Sequence, residues 1–279
     1  NTMTIDKIKD DGFYVQRQSF SIAEVGLINR KIDDYVQQPH PGIVREADAR
    51  LIRGIHGPHL FDDFFTDLIS DPRLLRPAEE FLGERCYVHQ FKINMKQRMN
   101  GQAWPWHQDF VYWQRGDGIR SPRLLNVALL LSDVDMLQGP LCFIPRSHTL
   151  GDLSTVPEKT GDWEQDISKD LTYQIGHRPI ERLIAENGVK YMTGQAGDLI
   201  LFDPLMAHCS STNLSPHDRA LLIVTYNAVS NAPVSDGSIR KRPEFLSARN
   251  FVPLAMKTRD YMDTAYCDAE HEIEELVTK

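Results

Sequence analysis

The sequence predicts an α+β protein, mainly β, in which helices come first and a sandwich or barrel of strands follows. Apolar positions recur at helical spacing in roughly the first hundred residues, whereas from residue 87 they alternate with polar ones or form short runs. Turn-forming pairs such as Gly139-Pro140 and Asp203-Pro204 separate those runs. Because the helices precede the strands, we expect them to buttress one sheet.

The N-terminal helices carry start and stop signals. Ser21–Glu24 has the Ser-x-x-Glu pattern of a capping box, and apolar residues then recur at helical spacing until Pro39. A second helical stretch is predicted over residues 60–69. A third covers residues 72–82 and ends at Gly83, a residue typical of helix C-termini.

The strand prediction begins at residue 87, where a period of two sorts the side chains onto two faces. One face combines Tyr87, His89, Phe91, Ile93 and Met95, and the other combines Val88, Gln90, Lys92 and Asn94. The polar second face either meets solvent or lines a cavity. Further strands are predicted over residues 106–110, 125–131, 141–144, 198–202 and 220–229.

Length and composition indicate the domain organisation. The 279 residues suit one domain of this class, which we place at residues 3–279. It comprises a helical buttress at about residues 12–85, a β core at about 86–230 and a polar, variable insertion at about 151–190. A long polar insertion between strands is often a lid or a binding loop. The acidic tail over residues 268–277 is predicted to form a short helix.

Charge and cysteine usage argue against several classes of function. The formal net charge is −8 and no long basic run is present, so we expect no nucleic-acid partner. No apolar run reaches the roughly 18 residues that a membrane span needs, and no secretory signal is recognised, so we expect no membrane partner. The four cysteines are far apart and form no Cys-x-x-Cys pair, which favours a reducing, cytoplasmic location over a disulfide or zinc framework.

A candidate metal site lies in the segment Trp106-His-Gln-Asp-Phe110. If this segment is a strand, His107 and Asp109 point to the same face and can share one ion. A third ligand is available about a hundred residues later, at His208. Two histidines and one carboxylate leave positions open on the ion, an arrangement suited to Fe(II) and O2. A lone histidine is more often structural, and a zinc hydrolase uses similar ligands, so both alternatives stay open at this point.

Arg219 strengthens the oxygenase interpretation. It lies eleven residues after His208 and opens the apolar run over residues 220–224. A cation at the start of a buried strand needs an anionic partner, and a guanidinium binds a carboxylate through two hydrogen bonds. The distal carboxylate of 2-oxoglutarate would fit this position. The alternative is a structural salt bridge with Asp198 or Asp203.

Four segments together resemble the phytanoyl-CoA dioxygenase family, including its ectoine hydroxylase branch. They cover residues 87–94, 106–113, 139–148 and 208–219, and the resemblance extends over roughly residues 12–253. It implies a double-stranded β-helix (a jelly-roll, cupin-like core) flanked by helices. It matches the iron ligands to His107, Asp109 and His208, the grip on the distal carboxylate of 2-oxoglutarate to Arg219 and Ser210, and positions near that cosubstrate to Gln90 and Asn94.

The resemblance implies an oxidoreductase, an Fe(II)- and 2-oxoglutarate-dependent dioxygenase that hydroxylates an unactivated C–H bond of a small molecule. Such a reaction consumes O2 and releases succinate and CO2. Amino acid-like, zwitterionic and secondary-metabolite substrates all stay open, as do a monomer and a homodimer. Desaturation, epoxidation or cyclisation with the same cofactors is an alternative outcome. A non-catalytic jelly-roll binding protein is the alternative from another class.

Candidate substrate contacts lie near the metal motif. Lys92 belongs to the polar strand face, so it either meets an anionic group of the substrate or faces solvent. Trp104 and Trp113 flank the motif, where they form an aromatic wall of the pocket or pack in the core. Tyr112 precedes Trp113 and is expected to face the pocket as well.

Two departures from related enzymes bear on the reaction. Related halogenases carry a small residue in place of the carboxylate ligand, which leaves room for chloride. Here Asp109 occupies that position, so hydroxylation is favoured over halogenation. Ectoine hydroxylases carry Glu, Thr and a Trp-His pair after the His-x-Asp-Phe motif. Residues 111–114 read Val-Tyr-Trp-Gln instead, which argues against ectoine as the substrate.

Overall fold

The chain folds as two antiparallel β-sheets that face each other, with helices covering the outer face of the larger sheet. The computed structural model describes residues 2–46, 50–155, 162–168, 170–234 and 242–263. The strands in these ranges are β1 (Phe13–Gln16), β2 (Ile43–Arg45), β3 (Ile52–His56), β4 (Cys86–Lys96), β5 (Trp104–His107), β6 (Leu124–Leu130), β7 (Leu141–Phe143), β8 (Lys190–Tyr191), β9 (Leu199–Phe202), β10 (His208–Ser210) and β11 (Arg219–Ala228). The larger sheet has the order β1-β9-β6-β11-β4-β3-β2 and the smaller one β5-β10-β7-β8. This is a double-stranded β-helix, so the prediction of a mainly β, α+β jelly roll is confirmed.

The helices begin and end at the signals that the sequence carries. They are α1 (Thr2–Asp11), α2 (Ile22–Tyr35), α3 (Asp63–Leu68), α4 (Pro72–Leu82), α5 (Phe110–Asp117) and α6 (His177–Asn187). Ser21 caps α2 through a complete capping box. Helix α4 ends at Gly83, whose φ of 71° is a conformation that glycine adopts without strain. The helix predicted over residues 60–69 is shorter, because a 3₁₀ turn at Pro58–Leu60 precedes α3.

Three short strands lie within the N-terminal segment that the sequence predicted to be mainly helical. Strand β1 pairs with β9 at one edge of the larger sheet, and β2 and β3 extend the other edge beyond β4. These strands are three to five residues long. Such lengths are too short for alternation to distinguish a strand from a loop. The prediction of helices is right, but the same segment also supplies both edge strands.

Apolar cores lie on both faces of the larger sheet. Helix residues such as Ile28 and Leu74 pack against Phe91 and Leu222 on the outer face. On the inner face, strands of the larger sheet pack against the smaller sheet, with Phe143 at the centre of the contact. Because both of its faces are covered, β6 is buried along its whole length. A polar cavity opens between the two sheets beside the inner core.

A β-bulge in β4 changes which side chains share a face. The pairing of β11 with β4 skips His89, which is the extra residue of the bulge. Val88 therefore packs in the outer core, and its predicted grouping with Gln90 is wrong. Beyond the bulge, Gln90, Lys92 and Asn94 line the cavity between the sheets, which was one of the two alternatives that the sequence left open.

The segment over residues 151–190 contains more regular structure than its polar sequence suggests. A 3₁₀ helix covers Trp163–Ile167, and α6 follows it. The helix predicted over residues 268–277 lies outside the described residues. Across the described ranges, the structure contains no helix with both the length and the apolar character that a bilayer span requires.

Candidate metal centre

The metal motif lies where a strand turns into a helix. Strand β5 ends at His107, and α5 begins at Phe110 with Asp109 in helical conformation at its N-cap. The predicted continuous strand over residues 106–110 is therefore wrong. Both side chains nevertheless line the same cavity. Their common direction comes from the bend of the chain between them, not from strand alternation.

Strand pairing brings the third candidate ligand to this motif. Strand β10 lies between β5 and β7, and His208 is directly opposite His107 in the register. Side chains opposite each other in an antiparallel pair are close neighbours on one face. The centroids of the two imidazole rings are 4.2 Å apart. Residues about a hundred positions apart in the sequence thus come into direct contact.

The three predicted ligands form a cluster that could hold one metal ion. Nε2 of His107 and Nε2 of His208 lie 3.6 Å and 3.7 Å from Oδ1 of Asp109. Two atoms that each lie about 2.2 Å from one ion are at most about 4.4 Å apart, so both distances fit. All three residues are buried, and one ligand atom from each lies within 4.8 Å of the others.

Hydrogen bonds fix the orientation of all three side chains. Nδ1 of His107 and Nδ1 of His208 lie 2.7 Å and 2.8 Å from the backbone carbonyl oxygen two residues before each. A proton on Nδ1 leaves Nε2 as the ligand atom of each ring. The Asn126 amide donates to Oδ2 of Asp109 at 3.0 Å, which leaves Oδ1 facing the histidines. The donor atoms are therefore preoriented toward one point.

Gln108 anchors the motif from behind. It is fully buried, and its amide nitrogen donates to the backbone carbonyl oxygens of Gly151 and Leu205, each at 2.8 Å. Its amide oxygen accepts the backbone N–H of Leu153 at 2.7 Å. The residue between the two candidate ligands thus ties them to the loop before β10 and to the start of the insertion.

The charge states of the cluster suit metal binding. Burial alone would raise the pKa of Asp109, but Lys92 and the two histidines outweigh burial and hold that pKa well below its usual range. Nζ of Lys92 is 3.8 Å from Oδ1 of Asp109. Burial lowers the pKa of His208 to about 4. At neutral pH Asp109 is therefore ionised and His208 is neutral, as metal ligands must be.

The donor set itself indicates which ions would fit. Two imidazoles and one carboxylate on one side of an ion are the donors of mononuclear iron oxygenases, which keep the remaining positions open. The candidate ligands line one side of the cavity, so open positions would face its interior. Nothing in the arrangement of these residues conflicts with Fe(II).

Arg219 lines the same cavity, and no acidic side chain of the described residues pairs with it. It is 3% exposed, and its Nε has no hydrogen-bond partner among the residues that the structure describes. Burial lowers its pKa to about 10, because no nearby anion compensates the desolvated charge. The alternative salt bridge is excluded, since Asp198 binds Arg17 at 2.7 Å and Asp203 accepts the backbone N–H of Leu205 at 2.8 Å.

The other predicted cosubstrate residues lie in the same cavity. Ser210, Gln90 and Asn94 line it together with Arg219. Lys96, which is opposite Arg219 in the register of β4 and β11, is also buried. Burial and the charge of Arg219 lower the pKa of Lys96 to about 6. Lys96 is thus largely neutral at pH 7, and the guanidinium of Arg219 is the cation that, with the polar groups around it, would stabilise a carboxylate.

All four predicted substrate contacts line the cavity as well. Lys92 faces the metal cluster instead of bulk solvent. Trp113 is 2% exposed and packs in an apolar cluster, while Trp104 is half-buried and lies under the guanidinium of Arg53 at 4.1 Å. The tryptophans thus pack against the protein on one side and border the cavity on the other. The Tyr112 hydroxyl donates to a backbone carbonyl oxygen at 2.9 Å.

Other cavity residues carry no recognisable sequence signal. They are His56, Leu141, Asp166, Ile167, Leu171, Phe202, Cys209, Ile223 and Arg242. Arg242 forms two hydrogen bonds, of 2.7 Å and 2.6 Å, with the buried carboxylate of Asp117. His89, on the other side of Asp117, contacts the same carboxylate at 2.9 Å. The one signal that could have found Asp166 is its place in the segment predicted to be a binding loop.

Comparisons with known proteins agree with this arrangement. The family model described as phytanoyl-CoA dioxygenase matches residues 8–221. An L-proline trans-4-hydroxylase of Streptomyces griseoviridis is 36% identical over 88% of this chain and 91% of its own. An ectoine dioxygenase of Bordetella bronchiseptica is 33% identical over 88% of this chain and 81% of the ectoine dioxygenase. The crystal structure of EctD from S. alaskensis with 2-oxoglutarate and 5-hydroxyectoine superposes with a TM-score of 0.77 and 28% identity, over 92% of this chain and 86% of that one.

Proposed function

This chain belongs to the phytanoyl-CoA dioxygenase family and is an Fe(II)- and 2-oxoglutarate-dependent hydroxylase of a small molecule, and we propose that its substrate is a free cyclic amino acid the size of L-proline. The observation that carries the proposal is the cavity itself. It holds the His-Asp-His cluster, a lysine that faces the cluster, and Arg219, whose Nε has no hydrogen-bond partner in the described part of the chain.

Seven side chains of the cavity have a proposed role in binding the cofactors. His107, Asp109 and His208 would hold Fe(II), which supplies the activation of O2 that couples decarboxylation of 2-oxoglutarate to hydroxylation. Arg219 and Ser210 would bind the distal carboxylate of 2-oxoglutarate, because a buried guanidinium without a partner gains most from such an anion. Gln90 and Asn94 would orient the cosubstrate through their amides, since both line the same wall.

The substrate would lie between the metal cluster and the aromatic wall. We assign the substrate carboxylate to Lys92, the cavity lysine nearest to the cluster. Trp104, Trp113 and Tyr112 would enclose the ring and exclude water from it. Rigid walls of this kind keep one C–H bond at the reacting position, which is how a site gains both rate and regioselectivity.

Similarity to an L-proline hydroxylase over nearly the whole chain supports a cyclic amino acid. Ectoine is the substrate named for other relatives, but residues 111–114 depart from the ectoine hydroxylase pattern. Three of these residues, Val111, Tyr112 and Trp113, are buried in α5 beside the cavity. A change at this position alters the wall that the substrate meets, so we favour the smaller proline ring.

The cofactor assignment is tested by anaerobic titration of metal-free protein with Fe(II) and then 2-oxoglutarate. We expect a weak visible charge-transfer band, because a 2-keto acid that chelates Fe(II) at an open facial site absorbs there. The band should be lost in Asp109→Ala and His208→Ala. It should persist in Asp170→Ala, which removes an exposed carboxylate. A band that survives removal of His208 would contradict the ligand assignment.

The substrate assignment is tested separately by mass spectrometry of products from L-proline under air. Hydroxylation adds one oxygen atom and forms one succinate per product, whereas desaturation removes two hydrogen atoms. Turnover of ectoine in place of proline, with a normal charge-transfer band, would refute the substrate but not the cofactors.

We further propose a reducing, cytoplasmic location, which the free thiols of Cys86, Cys142 and Cys209 support.

A further inference from the structure

Among the residues that the structure describes, two carboxylates line the cavity, and one of them has no assigned role. Asp109 belongs to the metal cluster. Asp166 belongs to a different element, the 3₁₀ helix Trp163–Ile167 of the insertion. A half-buried carboxylate in a substrate cavity is costly unless something compensates its charge.

The contacts of Asp166 leave one of its oxygens without a hydrogen bond. Oδ1 accepts a hydrogen bond from the Thr172 hydroxyl at 2.7 Å. Oδ2 lies 3.6 Å from Nη1 of Arg242, which is longer than a hydrogen bond. Arg242 is already committed to Asp117 through two short hydrogen bonds. Within the described part of the chain, Oδ2 of Asp166 therefore has no hydrogen-bond donor.

Asp117 and Asp166, the two carboxylates beside Arg242, differ in how far nearby groups offset the cost of burying their negative charge. Burial would raise the pKa of Asp117, but Arg242 and His89 outweigh burial and lower it. Burial raises the pKa of Asp166, and there Thr172 and Arg242 do not outweigh it. One guanidinium serves two carboxylates, and Asp166, the carboxylate with fewer hydrogen bonds, is the one that lines the cavity.

The cavity wall therefore offers a cation and an anion from different elements. Lys92, on β4, lies beside the metal cluster, 3.8 Å from Asp109. Asp166 lines the same cavity from the 3₁₀ helix of the insertion. Tyr112 also lines it, and the pKa of Tyr112 is raised chiefly by burial and also by the charges of Asp166 and Asp109. A ligand that carries both a carboxylate and an ammonium would complement the lysine and the aspartate.

We propose that Asp166 is the specificity-determining residue that binds the ammonium group of the substrate through Oδ2. The inference rests on the proposed function and extends it, because it explains why the enzyme would take a free amino acid and reject the corresponding acid without the amine. It also gives the insertion a role in specificity: its 3₁₀ helix supplies the carboxylate that recognises the amine.

The experiment compares L-proline with cyclopentanecarboxylic acid, which has the same ring and carboxylate but no nitrogen. Wild-type enzyme loaded with Fe(II) and 2-oxoglutarate should bind L-proline much more tightly than the carbocyclic acid. In Asp166→Asn, which retains an acceptor for Thr172, KM for L-proline should rise roughly ten- to a hundredfold, the range expected for a lost charge-assisted hydrogen bond. KM for the carbocyclic acid should stay the same or fall.

Two controls separate this role from a structural one. Glu164→Gln removes an exposed carboxylate from the same 3₁₀ helix and should change neither KM. The charge-transfer band with Fe(II) and 2-oxoglutarate should form equally in wild type and Asp166→Asn. A structural defect would weaken both probes alike, and that outcome would overturn the proposal.

Failure of the proposed function is distinguishable from failure of this inference. If the band does not form in wild type, the cofactor assignment fails and the inference fails with it. If the band forms but neither L-proline nor any of the common free amino acids perturbs it or stimulates succinate release, the hydroxylase stands and the ammonium site is refuted. If an amino acid other than proline is turned over, the same comparison is made with that amino acid and its deaminated analogue.

Discussion

At the scale of single residues, Asn126 controls the geometry of Asp109. It is fully buried, donates to Oδ2 of Asp109 at 3.0 Å and accepts the Thr225 hydroxyl at 2.6 Å. We expect Asn126→Ala to weaken Fe(II) binding roughly ten- to a hundredfold, because groups that orient a metal ligand typically contribute that much. The dissociation constant is measured by anaerobic Fe(II) titration in the presence of 2-oxoglutarate. Thr225→Val, which removes only the outer hydrogen bond, should have a smaller effect, and equal affinity in all three proteins would contradict this role.

Asp203 gives the folded protein a pH-dependent penalty. Burial raises its pKa from 3.8 to about 6, although the Leu205 N–H and His148 oppose the shift. An acid with a raised folded-state pKa loses stability as pH rises from its unfolded value through its folded value. Asp203→Asn keeps an acceptor for Leu205 and should unfold with a free energy about 1–3 kcal/mol higher at pH 7. The gain should shrink toward zero as pH falls from 6 to about 4 in urea titrations, and a gain independent of pH would rule out this cause.

Sequence analysis identified the residues whose type and spacing indicate metal binding. It missed the residues whose role depends on which neighbours the fold brings to them. His107, Asp109 and His208 are predictable because metal-ligand types recur at a recognisable spacing. Asn126 and Asp166 look like any polar residue of a strand or a loop. Their roles arise only when β6 lies beside the metal motif and the 3₁₀ helix Trp163–Ile167 lies beside the cavity, and no local pattern encodes either approach.

At the scale of elements, the start of α2 couples local and tertiary stabilisation. Ser21 and Glu24 complete a capping box, and the Glu24 carboxylate also binds Arg73 of α4 at 2.9 Å. The same guanidinium lies 3.7 Å over the ring of Phe20. We expect Ser21→Ala to lower the free energy of unfolding by about 1 kcal/mol, the usual effect of losing an N-cap.

Glu24→Ala removes the Glu24 half of the capping box and the link between the helices, so its cost should be larger, about 2–3 kcal/mol. Chemical denaturation with circular dichroism measures both variants. Equal losses would mean that the contact with Arg73 contributes nothing to stability. Glu24→Gln separates the two effects, since it retains a cap acceptor but loses the charge that faces Arg73.

Element types were more predictable than element ends. Helices α2 and α4 carry cap signals on both sides, so their extents follow from the sequence. The motif around His107 was predicted as one strand, yet the chain becomes helical at Asp109, a residue type that often caps helices. The bulge at His89 was equally invisible, because an extra residue in a strand shows only against its partner.

At the scale of the whole molecule, the order of strands is the feature that local patterns could not supply. Strand β11 pairs with both β4 and β6, and β10 lies between β5 and β7, so neighbours in space come from distant parts of the chain. The resemblance to a family gave this topology, whereas periodicity alone gave only a sandwich or a barrel. The active site depends on the topology, because its ligands come from β5, the start of α5 and β10.

Because the site exists only in the folded protein, the stability of the whole molecule reports ligand binding. The buried charge of Arg219 destabilises the ligand-free protein at any pH below its lowered pKa of about 10, because the folded state resists its protonation. A ligand that binds only the folded state at a hundred times its Kd adds about 2.7 kcal/mol to the free energy of unfolding. We therefore expect 2-oxoglutarate with Fe(II) to raise the Tm of wild type by several degrees under anaerobic conditions. The ligand-free Tm of Arg219→Met should match or exceed that of wild type, and it should rise very little when 2-oxoglutarate is added. The control variant Arg178→Met, at an exposed position of α6, should respond to 2-oxoglutarate like wild type. If Arg219→Met lowered the ligand-free Tm, the guanidinium would have a partner in the folded protein, and its assignment to the cosubstrate would lose its physical basis.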